Sequence, residues 1–172
     1  MDAWWQNLGA WIPLETAARL LMAIAGGAVL GWERERHDKP AGLRTHMLVS
    51  LGAAAFMIGA MELSADLGDA NGALHFDPTR ALAAIIGGVG FLGAGSIIQS
   101  RGAVHGITTA ASIWVAAAVG TSCGMGLYRL AITSGVLALL VLWIVGIAEF
   151  WFRRARHAGE DDAPEPAETN QP

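Results

Sequence analysis

Residues Gly87–Gly95 read GGVGFLGAG, five glycines in nine positions, inside an uncharged run from Ala81 to Ile98. In water a glycine weakens a helix interior by about 1 kcal/mol relative to alanine. In a bilayer the backbone must satisfy its own hydrogen bonds, which leaves the helix as the conformation for such a run. Small residues then let neighbouring helices come close, and close packing drives helix association in lipid. A second reading makes the glycines a break that exposes backbone to an ion or substrate. No carboxylate or amide side chain lies between Ala81 and Ile98 to help a cation.

Composition places the whole chain in the same class. Of 172 residues, 53% are hydrophobic and only 15% charged, against about 25% charged in soluble domains. Five apolar runs stand out: Leu14–Gly31, Thr45–Leu63, Ala81–Ile98, Ile107–Met125 and Leu130–Phe152. Each is long enough to cross about 30 Å of hydrocarbon as a helix and lacks barrel-strand alternation. The fold expected is an all-α, polytopic membrane bundle over residues 1–152, followed by a short disordered tail, 153–172. That tail holds five acids from Glu160 onward, so the formal net charge of −4 describes no acidic surface. The start lacks a basic signal-peptide region, and the first span is expected to be retained. Basic clusters with interleaved aromatics are missing, which removes nucleic acid as a partner. The single Cys123 forms no internal disulfide.

Charge at the flanks predicts orientation. Arg34, Arg36, Lys39, Arg44, Arg101, Arg153, Arg154 and Arg156 fall on one side, and only Arg80 and Arg129 flank spans on the other. By the positive-inside rule the N-terminus is outside and the C-terminus cytoplasmic. Trp4, Trp5, Trp11, Trp32 and Trp151 read as interface anchors.

Several polar residues are candidates for more than topology. Glu15 and Arg19 share a helical face at the start of span one, as a structural pair or a site. Gly31–Arg44, GWERERHDKPAGLR, reads as a solvated loop with room for pairing of Glu33 and Arg34 at the membrane edge. Thr45 is positioned to cap span two, beside Arg44 and His46. Asp77-Pro78 starts span three as N-cap and first helical residue, with Arg80 in reach of Asp77. Thr108, Thr109 and Ser112 line one sector of span four, to bond their own backbone or bridge to another helix. A nucleophile would need a base and an oxyanion site; none is recognisable, so no enzyme is expected. Small-residue ridges at Gly27 and Gly31, at Gly88, Gly90, Gly93 and Gly95, and at Gly120 and Gly124 predict a central third span clasped by spans one and four.

Three blocks, GWERERHDKPAGLRTHMLVSLGAA (31–54), DPTRALAAIIGGVGFLGAGSII (77–98) and GITTAASIWVAAAVG (106–120), resemble the signature blocks of the MgtC/SapB family. The resemblance runs over about residues 14–150. It implies a helical domain in the bacterial inner membrane, associated with growth in low magnesium and, in pathogens, with survival inside macrophages. It also implies a regulatory role on other membrane machines, such as the F-type ATP synthase. Family positions carried over are Glu33, Arg34, Lys39, Pro40, Gly42, Leu43, Arg44 and Thr45 in the first block. In the second they are Asp77, Pro78, Arg80, Gly88, Gly90, Phe91, Gly93, Ala94 and Gly95; in the third, Gly106, Thr108, Thr109, Ala110, Ala111 and Trp114. Ala84 and Gly87 depart from the glutamine and serine often found in relatives. Virulence-branch members add a soluble C-terminal domain, and the expectation here is the membrane domain alone.

The function expected is therefore a non-catalytic regulator linked to magnesium homeostasis. Its partners are the bilayer, a second copy of itself or another inner-membrane complex, and it needs no cofactor. The alternative is a small Mg²⁺ transporter or channel using Asp77, Glu62 and Glu33, since magnesium takes oxygen ligands and keeps much of its water; its metal ligands stay unassigned.

Overall fold

The computed structural model describes residues 13–71, 77–100 and 102–160. Five helices account for most of them: α1 (Leu14–Arg36), α2 (Leu43–Asn71), α3 (Pro78–Gly95), α4 (Ile107–Gly124) and α5 (Tyr128–Glu160). All five are long and apolar enough to cross a membrane. By contact the chain divides into a unit ending at Leu139 and a second beginning at Leu140, within α5.

Charged residues extend the helices beyond the apolar runs. α1 continues through Trp32-Glu33-Arg34-Glu35-Arg36, correcting the loop expected there. The turn that stops it has Asp38 in the left-handed region, φ 49°, and Lys39 N donates back to Arg34 O at 3.1 Å. α5 likewise runs to Glu160, past the expected tail boundary at Arg153. α3 is shorter than its run: Ser96 closes it, its hydroxyl donating to Gly93 O at 2.7 Å.

The α3–α4 connection contains a hairpin that the sequence reading did not expect. β1 (Ile98–Ser100) and β2 (Ala103–His105) pair antiparallel, Ile98 opposite His105. Gly102 (φ 82°) and Gly106 (φ 90°) take left-handed conformations that few other residues tolerate, at the turn and at the entry to α4. A side chain at Gly106 would also collide with Ser96 O.

The central helix is α4, not α3. Ala116, Val119 and Cys123 pack with Ala23, Leu30, Ala54 and Ala131; Ile113 and Ala117 pack with Ala53, Met57, Ile85 and Val89. α4 therefore has buried clusters on two sides, built largely from alanine and other small residues with Leu30, Met57, Ile85 and Ile113 as the bulkier members. Large apolar residues face outward instead, among them Phe56, Phe91 and Trp143, as expected where the surroundings are themselves apolar. Trp32 is exposed near the end of α1. Trp4, Trp5, Trp11, Arg101, residues 161–172 and the Trp151 side chain lie outside the described residues.

Candidate functional site

Glycines decide how closely α1, α2 and α4 meet. A Cβ on Gly27 would come within 2.5 Å of His46 O, one on Gly31 within 2.7 Å of Leu43 Cα, and one on Gly124 within 2.7 Å of Ala54 O. At Gly120 it would strike the Ser50 carbonyl oxygen. Backbone thus rests on backbone at both faces of α2. The expected packing role of the third span is corrected: a Cβ on Gly88, Gly90 or Gly95 would meet no neighbour within 4 Å, and one on Gly93 would make ordinary contact with Ala110, at 3.6–3.8 Å. Small size permits a close approach without compelling one.

Where the three helices meet near the α1–α2 connection, their polar side chains form one buried cluster. On α1, Ala23, Gly27, Leu30, Gly31 and Arg34 make a single buried stripe, and Arg34 is only 4% exposed. Its Nη2 donates to Thr109 Oγ1 on α4 at 3.3 Å. Glu33 lies alongside, its Oε2 3.9 Å from Arg34 Nη1 and its Oε1 3.3 Å from His37 Nδ1. Arg34 Nε and Glu33 Oε2 are buried without a hydrogen-bond partner. From α2 comes His46, fully buried, with Nδ1 2.9 Å from Gly42 O and Nε2 3.0 Å from Ser112 Oγ. Ser112 Oγ also donates to Thr109 O at 2.8 Å. One turn on, Ser50 Oγ donates to Ala23 O at 2.7 Å, tying α2 to α1.

Glu35 closes the same end. Its Oε2 accepts from Leu43 N at 2.8 Å and so caps α2, satisfying an amide that a helix start leaves free. This corrects the cap expected at Thr45, which sits inside the first turn. Arg44 and Thr108 point outward and are not part of the cluster.

Arg19 is at the opposite end of α1. It pairs with Glu15, and its Nη1 donates to Gly124 O at 2.9 Å, so it caps the C-terminus of α4, where a cation is favourable. Asp77 is the N-cap of α3, accepting from Thr79 N at 2.9 Å and Thr79 Oγ1 at 2.7 Å. Those bonds, Thr79's hydroxyl first, hold its carboxyl below the usual range. Arg80 and Glu62 are exposed, and no group of three metal-ligating side chains occurs among the described residues.

Sequence reasoning missed His46, Ser50 and Ser112 as a joined set, and Glu35 as a cap. The i, i+4 spacing of His46 and Ser50, and the stripe from Ala23 to Arg34, were the available signals.

Comparison with known proteins completes the picture. The MgtC family matches over residues 20–150. YhiD of Escherichia coli K12, whose name provisionally assigns it magnesium transport, is 46% identical over 123 residues, covering 72% of this chain and 56% of YhiD. Protein MgtC of Brucella abortus is 42% identical over 132 residues, covering 76% of this chain and 52% of that protein. SrpB of Synechococcus elongatus is 39% identical over 142 residues, covering 78% and 75%. The chain spans little more than half the length of YhiD and of the Brucella protein. No solved structure matches.

Proposed function

The chain belongs to the MgtC family, a multi-pass membrane protein related by its named relatives to magnesium, and from that premise we propose that it is a non-catalytic regulator in the bacterial inner membrane. It acts in adaptation to low magnesium through contacts with other membrane complexes or with a second copy of itself. Its N-terminus is outside and its C-terminus cytoplasmic, so the Arg34–His46 cluster lies at the cytoplasmic end.

The observation that supports this reading most is α3. It carries five glycines, and at four of them an added Cβ would meet no other part of the bundle within 4 Å. The groove it forms with α2 has a volume of about 620 Å³ and an apolar lining that includes Gly52, Phe56, Ala84, Gly88 and Leu92. The helix best suited to close approach keeps that capacity outside its own bundle.

The test is in-membrane crosslinking from Gly88 and Phe91, paired with Mg²⁺ flux in liposomes. Crosslinks from α3 to itself or to another membrane protein, with no saturable flux, support regulation. The YhiD name favours transport as the second reading. Flux that disappears in Asp77→Asn or Glu33→Gln would establish it and displace the first.

A further inference from the structure

The His46 cluster contains one more acceptor than its hydroxyl proton can serve. Gly42 O only accepts, so His46 Nδ1 carries a proton whatever the charge of the ring. Ser112 Oγ lies 3.0 Å from His46 Nε2 and 2.8 Å from Thr109 O, with a single proton for two acceptors. In the neutral ring Ser112 donates to Nε2. In the charged ring Nε2–H donates to Ser112 Oγ, and the serine hydroxyl turns to Thr109 O. A rotation of one hydroxyl thus leaves every donor paired in both charge states. An ordinary buried histidine is satisfied in one state only, and charging it leaves a donor without a partner.

The surroundings fit an occupied and an empty proton site. Burial is the main force against a charge on His46; from α1, Arg34 adds to it and Glu33 opposes it. α4 brings hydroxyls and no charged residue between Ile107 and Gly124. A charged His46 is a second cation beside Arg34. Glu33 Oε2, ion-paired with Arg34 Nη1 at 3.9 Å and buried without a hydrogen bond, is the anionic group placed to compensate. Glu33 also faces His37. Arg34 holds Thr109 by its side chain, and the charged state holds Thr109 by its carbonyl, so both act on the same turn of α4.

We propose that His46 is a reversible proton-binding site, its two charge states alternately served by the Ser112 hydroxyl and its charged state supported by Glu33. The site links proton concentration at this end of the bundle to the junction of α1, α2 and α4. It rests on hydrogen-bond geometry and is independent of whether the protein regulates or transports.

The test is ¹⁵N NMR of histidine-labelled full chain in lipid nanodiscs, with His37, His75, His105 and His157 replaced by Gln so that His46 is the only imidazole. As the pH is lowered stepwise from about 8, the ring is expected to pass from a neutral form with the proton on Nδ1 to a doubly protonated form. In Ser112→Ala the charged form loses its charge-assisted acceptor, so reaching it takes about tenfold more protons. Glu33→Gln shifts the transition in the same sense. A ring fixed in one charge state throughout, a neutral form protonated on Nε2, or variants whose titrations superimpose on the parent's would each overturn the proposal. The parent titration stands alone should either variant fail to fold.

Discussion

Replacing Gly120 by alanine tests the claim that backbone contact between α2 and α4 holds the bundle. The added Cβ would lie 2.7 Å from both Ser50 Cα and its carbonyl carbon, and closer still to the oxygen. Ordinary contact begins at 3.4 Å, so relieving the two carbon contacts alone takes about 0.7 Å, and the nearer oxygen demands that the helices part further. The opposing atoms are backbone, which cannot swing aside as a side chain would. Overpacking of this kind costs about 3 kcal/mol, the upper end of the usual range. The same retreat strains the 2.7 Å Ser50–Ala23 bond, worth about 1 kcal/mol. Alanine's better helix propensity returns about 1 kcal/mol. The net loss is about 3 kcal/mol, a hundredfold or more in the folded-to-unfolded ratio. Gly88→Ala is the matched control, the same chemical change with nothing within 4 Å; it should be neutral or slightly stabilising. SDS-driven unfolding in mild detergent, followed by circular dichroism, measures both. Equal stability of the two variants would refute the assignment of α4 as the packed centre.

Thr109→Val keeps the shape of the side chain and removes the acceptor of a guanidinium that is 4% exposed. The expected loss is about 1–3 kcal/mol in the same unfolding assay, partly recovered by adding Arg34→Met, which removes the stranded charge. Asp77 gives a pH dependence. Its folded-state pKa is depressed by the Thr79 bonds, so its contribution is present above the ordinary carboxylate pKa and lost as pH falls through the lower folded value. Hydrogen exchange in the first turn of α3 should rise with acid over that window, whereas Asp77→Asn, which keeps a capping oxygen, should flatten the profile.

The five helices were readable because apolar length is a strong signal. The start of α3 was readable because Asp77-Pro78 is a local instruction. What failed was the inference that charge means solvent. Glu33, Arg34 and Glu35 are consecutive, so on a helix they point in three directions about 100° apart. One meets His37, one enters the core and one caps α2. The expected pairing of Glu33 with Arg34 is present at 3.9 Å, but placing the segment in a loop hid the separate faces of the helix. Glycine failed in the opposite way. Gly27 and Gly120 are seated against backbone while Gly88 and Gly90 are open, and spacing alone cannot separate them because the partner surface is missing from the sequence. The hairpin was hidden by its length, three residues per strand, too short for a periodic pattern.

Two arginines that looked unrelated share one geometry. Arg19 holds Gly124 at the end of α4, and Arg34 holds Thr109 near its start. From Arg19 to Arg34 is fifteen residues, and from Thr109 to Gly124 is also fifteen; at 1.5 Å per residue each interval is about 22 Å. The helices are therefore antiparallel and fastened at both ends of equal lengths, which fixes their axial register. Between the fasteners the contact is made by Ala23, Leu30, Ala116 and Val119, residues too smooth to resist sliding on their own. A backbone interval of about 22 Å fits inside about 30 Å of hydrocarbon, and a bundle centred there would place each arginine's backbone a few ångströms below the headgroups. There the cost of a charge is moderate; Arg19, part-exposed, can reach towards the interface, whereas Arg34 is buried and held on Thr109. A slip along the axis would part Arg34 from Thr109 Oγ1 and Arg19 from Gly124 O together, so the pair favours this register over its neighbours.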